Sequence, residues 1–268
     1  MTGDRLLIAL DVDGTLIHED ESIGDPVLDE VRRVAALGHE VTLATGRSWE
    51  AAHGILEQFE LQPEYVVCSN GALTMQRDRE EPTGYRRERV ETFDPGEVLR
   101  RIRPYLPSGT FMVEDAHGFR RYTAGMSDWS LTNGAEVSFE ELAGHPASRV
   151  VVMSPDHDQE SFLDIVGQMG LHKVSYAIGW TAWLDIAPEG VNKATALEWV
   201  RGRLGIPRTD VVAVGDGRND IDMLSWAAEY GCGIAMGQAP DEVKAAANEV
   251  VASVLDDGLA EVLAGIRR

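Results

Sequence analysis

The sequence predicts an α/β protein: a doubly wound parallel-sheet core interrupted by an inserted α+β domain. Three observations point there. Strand and helix signals alternate over residues 1–82 and again over 188–268. Between them, in 83–187, strand candidates crowd together with only a few helices. Finally, polar clusters follow the strand candidates of the two outer segments, where ligands sit in open α/β sheets. The simplest organisation is a discontinuous core, 1–82 plus 188–268, carrying 83–187 as an insert.

Each element has its own warrant. In "RLLIALDVDGTLI" the continuous apolar run Leu6 to Leu10 has strand length and suits a strand buried on both faces. Asp25 and Pro26 read as N-cap and first helical residue. Val27, Leu28, Val31, Val34 and Ala35 then recur at helical spacing, and Gly38 ends the helix. "EVTLATGR" is a second strand running into a turn, "SWEAAHGILEQFE" a helix, and "EYVVCSNGA" a third strand ending in a polar loop.

The pattern changes after Pro82. "TFMVEDAHGFRRY" predicts a hairpin with "EDAHG" as its turn, and "SRVVVMS", "HKVSYAI" and "TAWLDIA" predict further strands. Helices are expected after Asp94-Pro95 and in "DQESFLDIVGQM". From Pro188 the alternation resumes. A helix follows Lys193, then come the strand "DVVAVGDG", a helix from Asn219 and the strand "CGIAMG". A helix after Pro240 and a short final strand and helix complete the chain.

Composition narrows the function classes. The 268 residues are 44% hydrophobic and 26% charged, as expected of a folded protein with ample core. A net charge of -21 opposes a broad nucleic-acid or anionic-membrane surface but admits a small anionic substrate in one locally cationic cleft. Cys68 and Cys232 lie far apart and outside any C-x-x-C pair, so two buried, reduced thiols are expected. "MTGDR" lacks the shape of a signal peptide and no run has the length of a membrane span. A cytoplasmic monomer or small homo-oligomer is the expectation. "GCGIAMG" misses the spacing of a dinucleotide fingerprint, and the seven histidines lack zinc-ligand spacing.

Four clusters carry the chemistry: Asp11-Val12-Asp13-Gly14-Thr15, Thr45-Gly46-Arg47, Lys193, and "GDGRNDIDML" with Asp216, Asn219 and Asp220. A parallel sheet would bring them to one edge, where carboxylates, a hydroxyl, an ammonium and backbone N–H groups suit phosphoryl transfer. Two acids one residue apart after a buried strand are costly unless something there needs negative charge. On an extended chain Asp11 and Asp13 would point to one site while Val12 packs away, and Gly14 permits a sharp turn. Plainer roles compete. Asp11 and Asp13 could lie in a turn in which acids cap the next helix, Asp220 could stabilise a helix N-terminus, Lys193 could be solvated, and Arg47 could form an internal ion pair.

In order and spacing these clusters resemble the four signature motifs of the haloacid dehalogenase-like superfamily. The cap-sized gap between the second and third resembles its Cof-type sugar-phosphatase branch. The "SNGA" loop at Ser69 to Ala72, "EGVNKATAL" and "AMGQAPDEVKAAANEVV" extend the likeness over nearly the whole chain. The resemblance implies a Rossmann-like core with a large α/β cap, and a Mg²⁺-dependent phosphatase acting on a small phosphorylated metabolite, such as a sugar phosphate. It makes Asp11 the nucleophile that forms an aspartyl phosphate, and Asp13 the proton donor and later the base. It assigns Mg²⁺ to Asp11, the backbone carbonyl of Asp13, and Asp216, and phosphate binding to Thr45, the Gly46 N–H, Lys193 and Asn219. Asp220, Arg47 and Asn70 are supporting residues, and specificity falls to the cap. There Trp180 and Trp183 either stack on a sugar or pack between strands. A phosphosugar mutase and a non-catalytic phospho-ligand-binding regulator are the alternatives. Dehalogenases, which need no acid at Asp13, are disfavoured.

Overall fold

The opening apolar run forms β1 (Leu7–Leu10), fully buried along its length as its composition predicts. The computed structural model describes residues 5–123, 133–171, 174–178 and 182–267. Helix α1 (Asp25–Ala36) follows, with Gly24 rather than Asp25 at the N-cap. Asp25 lies within the first turn, where its charge complements the helix dipole. Next come β2 (Glu40–Leu43), α2 (Trp49–Phe59), β3 (Tyr65–Cys68), β4 (Leu73–Arg77) and β5 (Tyr85–Val90). The sequence reading did not foresee β4 and β5. They pair beside β3 in a three-stranded sheet; the polar, Arg-rich composition of β5 hides its strand pattern.

The middle of the chain builds α3 (Gly96–Ile102), β6 (Thr110–Glu114), β7 (Arg120–Tyr122), β8 (Gly134–Glu136), α4 (Phe139–Leu142), β9 (Arg149–Met153), α5 (Gln159–Met169), β10 (Val174–Ile178) and β11 (Trp183–Pro188). The sheet order is β10-β11-β9-β6-β7-β8. The expected hairpin joins β6 to β7, with Asp115 Oδ1 accepting from His117 N and Phe119 N across its turn. Successive residues alternate between two faces. Phe111, Val113, Val150, Val152, Leu184 and Ile186 pack with α3 and α5, while Met112 and Val151 face the other way beside Tyr122, Met153 and Trp183. Trp183 thus packs on the sheet, whereas Trp180 lies outside the described residues.

The last part returns to strand–helix alternation: α6 (Lys193–Leu204), β12 (Val211–Gly215), α7 (Ile221–Ala228), β13 (Cys232–Ala235), α8 (Asp241–Ala246), β14 (Glu249–Val250) and α9 (Gly258–Gly265). The main sheet has the order β14-β13-β12-β1-β2, and its neighbouring strands pair in parallel. β3 adjoins β2 through a single parallel bridge, Ala44 with Val67.

Two compact units result, Met1–Arg89 with Asn192–Arg268, and Val90–Val191. Most of β5 therefore belongs with the first unit, beyond the break expected at 82. In that unit Leu7, Ala9, Val211 and Ala213 pack with Leu197 and Val200 of α6 and Met223 and Leu224 of α7. Cys68 is buried as expected, but Cys232 is only half-buried, because β13 begins at this residue near a rim of the sheet. Among the described residues no helix is long and apolar enough to cross a membrane.

Candidate active site

The parallel sheet delivers the polar clusters to the carboxyl ends of its strands. Asp11 follows β1 directly, and its N–H extends the ladder to Val214 O at 3.0 Å, which fixes a buried carboxylate at the strand end. The chain then turns at once: Leu16 and Ile17 both donate to Val12 O, and Gly14 N donates to Ile17 O. Gly14 adopts φ +80°, and a Cβ there would overlap the carboxylate of Asp216, so both conformation and space require glycine.

Asp216 follows β12, and Asp220 closes the turn after it. Asp220 Oδ2 accepts from Asp216 N at 3.0 Å and from Gly217 N at 2.9 Å. Its other oxygen accepts from the Lys193 ammonium at 2.6 Å. Of the roles weighed for Asp220, the contact to Lys193 is made by one oxygen, while the other braces the turn before α7 rather than capping the helix. Lys193 opens α6, whose N-cap Asn192 accepts from Thr195 N, and its side chain is fully buried. A cation at a helix N-terminus opposes the helix dipole. Here two carboxylates outweigh that, since Lys193 Nζ also donates to Asp11 Oδ1 at 2.6 Å.

Asp11, Asp216 and Asp220 are all buried and bring carboxylate oxygens within 4.8 Å of one another. Burial first, then the charge of Asp220, raises the Asp11 carboxyl well above its ordinary range despite Lys193. The same causes push Asp216 up to about 7. For Lys193, burial acts to lower the ammonium, but Asp11 and Asp220 together hold it above its usual value. Asp216 Oδ1 is buried with no hydrogen-bond partner. An orphaned carboxylate oxygen among crowded acids is the donor set that a hard divalent cation fits.

A second group gathers at the end of β2. Thr45 is buried, its Oγ1 accepts from Arg47 N at 3.0 Å, and its carbonyl accepts from Asn70 N at 3.0 Å. Ser69 and Asn70 hold φ of +49° and +51°, unusual for residues with side chains, in a tight turn that begins as β3 ends. Asn219 Nδ2 donates to Asn70 Oδ1 at 3.0 Å, and Gly46 lies so close to the Asn70 amide that a Cβ would be crowded. Thr45, Gly46, Asn70 and Asn219 thus meet although they come from three separate segments.

Asp13 departs from expectation. Its carboxylate is not part of the buried cluster but is half exposed and held by Arg47, whose Nε lies 3.1 and 3.0 Å from the two oxygens. Glu21 holds the same guanidinium at 3.1 Å. The reason is local. The strand ends at Leu10 and the turn begins at Val12, so the two-residue alternation that would align Asp11 with Asp13 no longer applies. Arg47 accordingly forms the internal ion pair. Sequence reasoning also missed Gln238, whose Nε2 donates to Gly14 O at 2.5 Å and to Asp216 Oδ2 at 3.2 Å. Its position just after β13, at the same sheet edge as the other clusters, was the available signal.

The haloacid dehalogenase-like hydrolase family model matches residues 8–92 and 108–263. The chain is 28% identical to a 5-amino-6-(5-phospho-D-ribitylamino)uracil phosphatase, YitU of Bacillus subtilis, over 96% of both chains. It is likewise 28% identical to the pyridoxal phosphate phosphatase YbhA of Escherichia coli, over 96% of this chain and 97% of that one. Among solved structures, a sugar phosphatase of subclass IIB superposes with a TM-score of 0.78 at 21% identity, covering 97% of this chain and 98% of the other. That likeness shows a shared fold. Because the family match spans both outer segments and most of the insert, the chain belongs to the haloacid dehalogenase-like hydrolases.

Proposed function

We propose that this chain is a Mg²⁺-dependent phosphomonoester phosphatase that acts on a small phosphorylated metabolite, with sugar phosphates as the favoured class. One observation carries the reading: Asp11 is buried at a strand end, with Lys193 on one oxygen and two further carboxylates within reach. Such a site tolerates its own negative charge only when cations complete it, and the same cations let an anionic phosphate approach. The relatives' names support the substrate class, since one acts on a phosphorylated ribityl compound, one on pyridoxal phosphate, and a structural neighbour on sugar phosphates.

Asp11 acts as the nucleophile. One of its oxygens bonds to phosphorus as the bond from phosphorus to the ester oxygen breaks, leaving an aspartyl phosphate. Lys193 keeps the carboxylate oriented and supplies positive charge to the transferred group. Thr45, the Gly46 N–H and Asn219 receive the phosphoryl oxygens, with Asn70 holding the Asn219 amide in place. Asp13 gives a proton to the leaving oxygen, which requires the Arg47 guanidinium to turn away from it. Water then attacks phosphorus, Asp13 takes its proton, and inorganic phosphate leaves with Asp11 restored. Mg²⁺, for which the orphaned Asp216 oxygen and the acid cluster are a fitting donor set, would be held by Asp11, the Asp13 carbonyl and Asp216, and would supply countercharge to the phosphoryl group. Discrimination among substrates is assigned to the inserted segment.

The test is phosphate release from a panel of phosphomonoesters, with Mg²⁺ and with excess chelator. Saturable, Mg²⁺-dependent release is expected. Full turnover in chelator would remove the metal from the reading. Isomerisation that needs a bisphosphate activator would replace the phosphatase by a mutase, and binding without turnover by a regulator.

A further inference from the structure

Gln238 sits in the loop between β13 and α8, and its side chain is exposed. Burial therefore does not explain its ordered geometry. Its Oε1 accepts from Val254 N at 3.0 Å, which determines which way the amide faces. The Nε2 end must then point at Gly14 O and Asp216 Oδ2, and each of its two hydrogens has an acceptor. One neutral amide thus ties together the turn after Asp13, the carboxylate after β12, and the chain beyond β14.

The consequence falls on Asp216. Its Oδ2 is occupied by Gln238, and its Oδ1 is buried without a partner. A carboxylate engaged in this way offers a cation one oxygen instead of two. Small, rigidly octahedral Mg²⁺ is served by single-oxygen ligands, whereas larger Ca²⁺ accepts both oxygens of one carboxylate and a higher ligand number. We infer that Gln238 is a positioning residue that restricts Asp216 to coordination through Oδ1 and so favours Mg²⁺ over Ca²⁺. The inference rests on the metal-dependent reading above. An amide performs this task without adding charge, whereas a lysine in its place would add a second ammonium beside the acids.

The test is titration calorimetry of the full chain with Mg²⁺ and with Ca²⁺, comparing the wild type with Gln238→Leu, which keeps the bulk and removes the hydrogen bonds. Loss of Gln238 should weaken Mg²⁺ binding about tenfold, in the range typical of lost outer-shell partners, and leave Ca²⁺ binding equal or tighter. The Mg²⁺-to-Ca²⁺ affinity ratio therefore falls, which a merely structural residue would not cause. Metal-free thermal stability should change little, since the side chain is exposed. If the leucine variant fails to fold, Gln238→Ala removes the same amide without crowding the loop. A parallel loss of affinity for both ions, or an unchanged ratio, overturns the role of Gln238 while leaving the phosphatase reading intact. Wild-type protein that binds neither ion overturns the metal reading and this inference together.

Discussion

The ammonium of Lys193 lies 2.6 Å from Asp11 and 2.6 Å from Asp220, residues 182 and 27 positions away in the chain. This buried cation joins the strand β1 end to the turn after β12 and offsets part of the repulsion among three acids. It is a folding element and, on the proposed mechanism, a phosphoryl-binding group as well, so its removal should be felt in both stability and activity.

Lys193→Met leaves Asp11 and Asp220 buried without their cation. Breaking a buried charge pair on one side costs about 3–5 kcal/mol. Thermal unfolding at neutral pH should shift downward by several degrees or more, with kcat reduced about 100-fold or further. Because burial and like charge already raise Asp11, part of the lost stability should return as the pH is lowered and the acids take up protons. Calorimetric scans at two pH values with a full activity assay check this. Unchanged stability at neutral pH would mean the pair is solvated and weak.

Asp216→Asn should stabilise the metal-free protein. The folded carboxyl titrates at about 7 against an ordinary value of 3.8, so ionising it costs the native state more than the unfolded chain. Stability is therefore lost through this group as pH rises from about 4 to about 7, and no more is lost above that. At pH near 8 the variant should melt a few degrees higher than wild type without metal, yet gain little from added Mg²⁺. A lower melting point in the absence of metal would contradict this electrostatic account.

Asp11→Asn and Asp13→Asn should fail differently. On the proposed mechanism the first removes the nucleophile, so no covalent phosphate should form with any substrate. The second keeps the nucleophile but lacks the acid, a deficit felt less with aryl esters, whose leaving groups depart without help. It also lacks the base for the second step, so the adduct should accumulate. Intact-protein mass spectrometry after rapid acid quench, with an aryl phosphate, reads both outcomes. A phosphate adduct on Asp11→Asn would sink the mechanism.

Gly14→Ala introduces a side chain at φ +80° and against the Asp216 carboxylate. The left-handed conformation alone costs about 1–2 kcal/mol. The displaced carboxylate should additionally weaken Mg²⁺ binding, measured by calorimetry, beyond what the stability loss explains. Ala at Gly38, which also has positive φ but open space beside it, is the control: it should lower stability and leave Mg²⁺ affinity alone.

Much of this was legible in the sequence because it depends on local pattern. Leu7 to Leu10 needed only an apolar run to announce a strand buried on both faces, and "EDAHG" needed only its Asp and Gly to announce a hairpin turn. The order of the acids, Thr45 and Lys193 along the chain identified the family, and a parallel sheet brings strand ends to one edge whatever lies between them. Tertiary structure alone decided the rest. The Arg-rich strand β5 became a strand by pairing beside β4, against the signal of its composition. Asp13 turned to Arg47 because the strand stopped before it, and although Asn70-Gly71 marks a turn, the positive φ of Ser69 has no mark in residue type. Gln238 acquired its partners from segments 224 and 22 residues away. Periodicity reports which face a residue shows to the core, but hydrogen-bond partners far apart in sequence are set only when the chain has closed around them.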